Sequence, residues 1–205
     1  MDEKPKVTGF YVHSKKDSKW SYWDKFAHQR FEIYEMGELL FKWGWEYYDN
    51  NQVKEEFEYI KTGVLHGEWY AYYKDGSHRG FRGYDNGLRN GAWIDWYTNG
   101  QKSFERKYEL DQPVDKWFYW YFFGDLMSEV QYENNEIVGQ ECFQSSFMYS
   151  DPAEELRDCS SIVDPRYINR GVFRIYSPSK VLIKETFIND DKLLAQFEYH
   201  DNSEP

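Results

Sequence analysis

The chain is short of cysteine, of long apolar runs and of positive charge, and each shortage removes a class of protein. Cys142 and Cys159 are the only cysteines in 205 residues. Two are too few for a disulfide framework, and no Cys-x-x-Cys spacing suggests zinc, so Cys142 beside Phe143 reads as a small buried side chain in a reduced protein. No stretch approaches the length of a membrane-spanning helix, and the start, Met1-Asp2-Glu3-Lys4-Pro5-Lys6, has no apolar core of a secretion signal. Both point to a soluble, cytoplasmic protein. Only 25 basic side chains stand against 36 acidic ones, a net charge of −11. The charge is spread along the chain with no acidic tail, so it belongs to the folded surface. A field of that sign disfavours nucleic acid and anionic membrane and favours capture of a basic partner, or serves simply to keep an aromatic-rich surface in solution.

Chemistry-bearing motifs are also scarce. The histidines His13, His28, His66, His78 and His200 show no His-x-x-x-His spacing, and no nucleophile elbow, phosphate-cradling loop or dinucleotide fingerprint occurs. Glu56, Glu105, Glu129 and Glu185 share one position of the repeat described below. Recurrence of that kind is architectural, and these carboxylates are expected to pair across strands with cations such as Arg106 or Lys184. No catalytic residue, metal ligand or cofactor follows from the sequence, and a non-enzymatic protein is expected.

What the chain has in abundance is aromatic residues, 21% of the total, and they recur at a fixed period. Gly67-Glu68-Trp69-Tyr70-Ala71-Tyr72-Tyr73-Lys74-Asp75-Gly76 returns 24 residues later as Gly91-Ala92-Trp93-Ile94-Asp95-Trp96-Tyr97-Thr98-Asn99-Gly100, and after another 24 comes Asp115-Lys116-Trp117-Phe118-Tyr119-Trp120-Tyr121. Tyr84, Tyr108 and Tyr132 keep the same spacing, and glycine recurs at Gly67, Gly91 and Gly139. A period of this length marks a repeat array. Each aromatic run suits a strand, and Asp75-Gly76 and Asn99-Gly100 predict tight hairpin turns with both turn residues at positive φ. In the return run Phe104, Arg106 and Tyr108 share one face and Glu105 and Lys107 the other. In the outgoing run Trp93, Asp95 and Tyr97 face one way and Ile94 and Trp96 the other, leaving aromatic bulk on both faces. About 14 strands at roughly 4.8 Å each would make a sheet on the order of 65 Å long, a surface and not a pocket.

The pattern Gly-x-Trp-x-x-Tyr-Tyr-x-Asn/Asp-Gly, followed by Glu-x-x-Tyr and a Gly-rich turn, resembles the MORN-type repeat. It is closest to a bacterial variant with Tyr-Tyr-x-Asn-Gly found in antitoxin components of toxin–antitoxin pairs. Tyr47-Tyr48-Asp49-Asn50-Asn51-Gln52 through Gly63 and Gly67 is similar to it, and the resemblance is strong over residues 41–139. It implies an all-β fold, an elongated, curved, single antiparallel sheet of stacked hairpins. Each hairpin would pack chiefly on its neighbours, as repeat arrays do.

In chain order, residues 1–40 read as diverged N-terminal cap repeats with strands at Phe10-Tyr11-Val12, Trp20 to Trp23 and Arg30 to Tyr34. Residues 41–139 are the regular repeats. The unit at 41–66 is displaced by one residue, since Tyr47-Tyr48 precede Tyr72-Tyr73 by 25, and a bulge at Trp43-Gly44-Trp45 is expected to absorb it. Residues 140–170 are an irregular insertion, about eight residues spliced into one unit. Asp151-Pro152-Ala153-Glu154-Glu155 there predicts a short helix from its cap aspartate, its proline and its acidic first turn. Residues 171–205 hold a final repeat and a closing edge strand.

The antitoxin-like resemblance implies a protein that binds and neutralises a protein partner, such as a basic toxin or nuclease. Candidate contact residues are Trp96 and Trp120 on the open face and the insertion carboxylates Asp151, Glu154, Glu155 and Asp158. Two other readings are compatible with the aromatic repeats. One is a carbohydrate or cell-wall-binding repeat protein whose rings stack on sugars, the other a self-associating scaffold joined through edge strands.

Overall fold

The main aromatic runs are strands, and two kinds of turn alternate between them. In a computed structural model of the chain, residues 6–23, 29–60, 63–143, 170–177, 179–189 and 192–199 are described. They form 17 strands and contain no helix. The strands are β1 (Val7–Val12), β2 (Lys15–Trp23), β3 (Gln29–Glu35), β4 (Glu38–Tyr47), β5 (Val53–Ile60), β6 (Val64–Leu65), β7 (Gly67–Tyr72), β8 (His78–Asp85) and β9 (Leu88–Trp96). There follow β10 (Lys102–Glu109), β11 (Gln112–Pro113), β12 (Lys116–Trp120), β13 (Leu126–Glu133), β14 (Glu136–Phe143), β15 (Arg170–Tyr176), β16 (Leu182–Asn189) and β17 (Lys192–Glu198). The count exceeds 14 partly because two outgoing strands are split: β6 from β7 before the left-handed Gly67 (φ 78°), and β11 from β12 before the left-handed Asp115 (φ 59°).

Two units divide the chain, Met1–Gly100 and Gln101–Pro205. Within the first, β1 to β5 pair in sequence, β5 pairs with β6 and β7, and β7, β8 and β9 follow, all antiparallel. Within the second, β10 pairs with β11 and β12, and β12, β13 and β14 follow antiparallel. The next pair, β14 and β15, is parallel, with Gly139 opposite Val172 and Glu141 opposite Arg174. Antiparallel pairing then resumes through β16 to β17.

That parallel pair corrects the expectation of a purely antiparallel sheet. Both β14 and β15 are outgoing strands of the repeat, and no return strand lies between them. A parallel connection needs about a dozen or more residues to carry the chain back. The predicted helix and Asp151, Glu154, Glu155 and Asp158 lie outside the described residues.

Turn chemistry departs from expectation too. At Asp75-Gly76 only Gly76 is left-handed (φ 88°), and at Asn99-Gly100 only Gly100 (φ 83°). Gly76 N donates to Tyr73 O at 3.0 Å, and Tyr73 N donates to Ser77 O at 2.8 Å. This is a type I turn closed by a left-handed bulge residue, a three-residue hairpin loop. Asp75 suits it because its Oδ1 accepts from Ser77 N at 2.9 Å and from Ser77 Oγ at 2.6 Å, local bonding of the kind that favours Asp in turns. The same backbone bond recurs at Asn51 N to Tyr48 O, Gly100 N to Tyr97 O, Gly124 N to Tyr121 O and Lys180 N to Ser177 O. Turns with two left-handed residues close the opposite ends of the strands: His13-Ser14, Met36-Gly37, Asn86-Gly87, Leu110-Asp111 and Asn134-Asn135.

The extra residue of the 41–66 unit falls between the paired Ile60 and Val64 and not at Gly44. Pairing of β4 with β5 runs without a break from Trp43 opposite Glu58 to Glu46 opposite Glu55. In contrast, Ile60 pairs with Val64 across three residues, whereas Asp85 pairs with Leu88 across two.

Two aromatic bonds tie the units of the array together. Tyr48 and Tyr73, which open two of these three-residue turns, reach over the return strand to the next outgoing strand. Tyr48 Oη donates to Tyr72 O at 2.8 Å and Tyr73 Oη to Trp96 O at 2.6 Å. The repeated tryptophan donates back to a carbonyl ten residues earlier: Trp20 to Phe10 O at 3.1 Å, Trp93 to Gly83 O at 3.0 Å and Trp117 to Lys107 O at 3.0 Å. In the second unit the best-buried apolar side chains, Tyr108, Trp117, Tyr119, Val130, Tyr132, Ile137 and Cys142, lie on the face of Trp117. Cys142 is buried as expected but is disulfide-bonded, which corrects the reading of a reduced thiol. Too few cysteines for a framework are still enough for one bridge. The chain's other cysteine, Cys159, lies outside the described residues.

Candidate protein-binding face

On the face opposite the buried tryptophans, the alternation of β4 and β5 sets indole rings against carboxylates. Trp43 is directly opposite Glu58, and Trp45 is directly opposite Glu56. Phe31 of β3 completes the apolar side, its ring 4.9 Å from Trp43, while Trp43 and Trp45 stack at 5.8 Å. The next strand adds a third carboxylate and two phenols, since Glu56 is opposite Tyr70. Tyr70 Oη donates to Glu68 at 2.7 Å, and Tyr72 Oη to Glu56 at 3.5 Å.

Glu58 is the unusual member. Its carboxylate fills the space a Cβ on Gly67 would occupy, so the left-handed glycine demanded by the bulge also makes room for the charge. Burial pushes the Glu58 carboxyl above its ordinary value, Glu68 pushes it further, His66 opposes this and Glu56 adds to it. Other acidic residues of the unit are neutralised at once. Glu46 and Glu55 face each other across β4 and β5, but Lys54 lies 3.3 Å from Glu46 and 3.9 Å from Glu55, and Arg79 lies 3.3 Å from Glu55.

A stability test follows from Glu58. A carboxyl whose pKa is raised by folding stabilises the fold below its ordinary value of 4.5, and that contribution is lost as pH rises through the higher folded value. Relative to wild type, Glu58→Gln is expected to gain melting temperature between about pH 4 and about pH 7. Thermal unfolding at both pH values checks it, and a difference independent of pH would refute it.

Trp96 continues this face at the far side of the unit, where His78 lies between the rings of Tyr72 at 5.3 Å and Trp96 at 5.7 Å. Trp120 belongs to the second unit. It stacks on Phe118 at 5.9 Å, and Lys102 Nζ lies 5.8 Å from its ring. Beside Phe118 the register lines up Glu129, Glu141, Arg174 and Glu185 on adjacent strands. Here each carboxylate has a cation: Lys116 meets Glu129, and Arg174 is shared by Glu185 at 2.8 Å and Glu141 at 3.5 Å. A cavity of about 290 Å³ opens over Lys116, Glu129, Gly139, Glu141 and Arg174.

Two of the recurrent glutamates pair across strands, but not with the cations expected: Glu129 meets Lys116 and Glu185 meets Arg174, while Glu105 meets Lys102 of its own strand. Arg106 is on the other face against the rings of Phe104, Trp117 and Tyr119 at 4.2 to 5.4 Å, and Lys184 lies 4.0 Å from Glu198. Face parity explains the difference, because Arg106 and Glu105 are neighbours on one strand and must point oppositely. The carboxylate group at Glu56, Glu58 and Glu68 was missed in the sequence. Its signal is the alternation Glu56-Phe57-Glu58-Tyr59, which writes one acidic face on β5.

Among the described residues, no group of three His, Cys, Asp or Glu is placed to hold a metal ion, and no helix is long and apolar enough to cross a membrane. No protein-family model matches the chain, and no curated protein matches it.

Proposed function

We propose that the chain is a non-enzymatic protein-binding repeat module of antitoxin or immunity type, which binds and neutralises a basic protein partner. The observation that carries this reading is the placement of Glu58 between Glu56 and Glu68 on a face walled by Trp43, Trp45 and Tyr70, with its carboxyl held above its ordinary pKa. Crowded carboxylates gain most from a cation, and stacked rings beside them supply the apolar contact that anchors a protein interface. A lysine or arginine side chain with its aliphatic stem matches both. The resemblance to antitoxin repeats and the net charge of −11 support the same reading.

The test is affinity capture of the product of a neighbouring reading frame, followed by association kinetics against ionic strength. The triple variant Glu56→Gln, Glu58→Gln, Glu68→Gln is expected to slow association about tenfold at low salt and little at high salt, since steering by surface charge is screened. A rate indifferent to both salt and the triple variant would overturn the proposal, as would capture of glycan in place of protein.

A further inference from the structure

We propose that Trp20, Tyr22, Tyr34 and Glu32 form a receptor for a quaternary or methylated ammonium group, a site that the chain's own Lys16 occupies. The ammonium of Lys16 lies 4.8 Å from the ring centre of Trp20, 5.2 Å from that of Tyr22 and 4.8 Å from that of Tyr34. Glu32 supplies a carboxylate at 4.0 Å, and Lys16 Nζ donates to Tyr22 Oη at 2.6 Å. The rings of Trp20 and Tyr34, the hydroxyl edge of Tyr22 and one acid thus surround a single nitrogen, and aromatic rings with an acid are the composition that recognises alkylated ammonium ions.

The walls are held by contacts that do not involve Lys16. Trp20 is only 6% exposed. Its Nε1 donates to Phe10 O at 3.1 Å, Tyr11 meets it edge-on at 4.8 Å, and its ring covers Gly9, where no side chain would fit. Glu32 is opposite Trp20 across β2 and β3 and opposite Lys42 across β3 and β4, and it accepts from Tyr34 Oη at 2.9 Å. Arg30 stacks on Tyr22 at 4.7 Å and closes that side. Burial, and then Glu32, push the Tyr22 phenol up to about 12, so Glu32 is the one anionic group of the cage.

The occupant differs from its walls. The Lys16 side chain is 32% exposed whereas Glu32 is 12% exposed, so solvent reaches the lysine more than the acid. A primary ammonium is strongly hydrated and holds such a site weakly, whereas a methylated one sheds water readily and suits aromatic walls better. Lys16 thus acts as a tethered placeholder, and the site lies on the face opposite Trp43 and Glu58. Its ligand is independent of the basic partner proposed above.

The test is Lys16→Met, which vacates the cage without adding charge. Tetramethylammonium, and separately a peptide carrying one trimethyllysine, are titrated while the Trp20 indole N–H resonance is followed, assigned by its loss in Trp20→Phe. Lys16→Met is expected to bind tetramethylammonium about tenfold more tightly than wild type, because the competing intramolecular contact is gone. Adding Tyr34→Ala should abolish the gain. Tighter binding of the peptide than of the free ion would identify a protein side chain as the source, and the reverse a free ammonium compound; either supports the site. No shift in a Lys16→Met protein with wild-type circular dichroism would overturn it. If that variant does not fold, excess tetramethylammonium added to wild type should still displace Lys16 and shift the same resonance, and its failure to do so would overturn the proposal.

Discussion

Replacing Trp117 by alanine is expected to cost the second unit about 3–5 kcal/mol, the range for deleting a large aromatic side chain from a packed core. Trp117 is 8% exposed and lies between Tyr108, at 4.9 Å, and Tyr132, at 4.5 Å. The rings come from β10 and β13 on either side of β12, so a single indole joins three strands. Arg106 covers it at 5.4 Å, and its Nε1 satisfies the carbonyl of Lys107. Alanine removes the ring contacts, leaves a cavity that the flanking tyrosines cannot fill without leaving their own rotamers, and strips a partner from that carbonyl. Trp117→Phe separates these effects. It keeps most of the ring volume and loses the hydrogen bond, so it should cost about 1 kcal/mol from the bond plus a smaller packing loss. Urea unfolding of both variants gives the comparison. Because a repeat array is stabilised by neighbours, Trp117→Ala should also lower the steepness of the transition by uncoupling β12 from β13. A loss below about 1 kcal/mol for the alanine variant would show that the tryptophan register does not carry the fold.

The period and the strands were legible because both rest on local chemistry. Aromatic alternation writes extended structure wherever it occurs, and the spacing of Trp93 and Trp117 survives into the observed register as hydrogen bonds from the indoles to carbonyls ten residues earlier. Less legible was whatever depends on which residue takes the left-handed backbone. Asp75-Gly76 reads equally well as two left-handed turn residues or as a type I turn with Gly76 as its bulge, and the closing bond from Tyr73 to Ser77 decides between them. Asp115 takes the left-handed backbone role of Gly67 and Gly91 in the third copy, whereas Gly139, the glycine one period further on, is not left-handed and lies opposite Gln131 and Val172. The parallel pair of β14 and β15 escaped notice for a different reason. Val172 to Tyr176 has the composition of any outgoing strand, and no residue in it records that its neighbour runs the same way. Trp96 and the Trp43–Glu58 group have a similar history. The face of Trp96 followed from alternation, but the concentration of carboxylates beside Trp43 depends on the register of three strands, which a single sequence does not print.

Gly83→Ala is expected to disrupt the first unit about as severely, by a route that leaves no cavity. Gly83 has no left-handed φ, so the substitution carries no conformational penalty of its own; the conflict is one of space. A Cβ there would run into the backbone carbonyl oxygen of Asn90 on the adjacent strand, an atom that cannot rotate out of the way. The reason is the bulge opposite. Register between β8 and β9 shifts between Arg82 and Tyr84, where Gly91 turns left-handed (φ 83°), and the displaced carbonyl of Asn90 settles over the bare Cα of Gly83. The carbonyl of Gly83 itself accepts from Trp93 Nε1, so moving this backbone to relieve the clash pulls on the indole that anchors the repeat. Overpacking of a core side chain costs about 1–3 kcal/mol when neighbouring side chains can shift. With backbone as the obstacle and a tryptophan tied to the moving strand, about 3 kcal/mol or more is expected, the upper end of that range. Gly100→Ala is the fitting control, since it is left-handed (φ 83°) but meets no atom within 4 Å. It should lose only about 1 kcal/mol, the cost of an alanine in the left-handed region. If the two variants unfold at the same denaturant concentration, the tight passage between β8 and β9 is not what fixes their register.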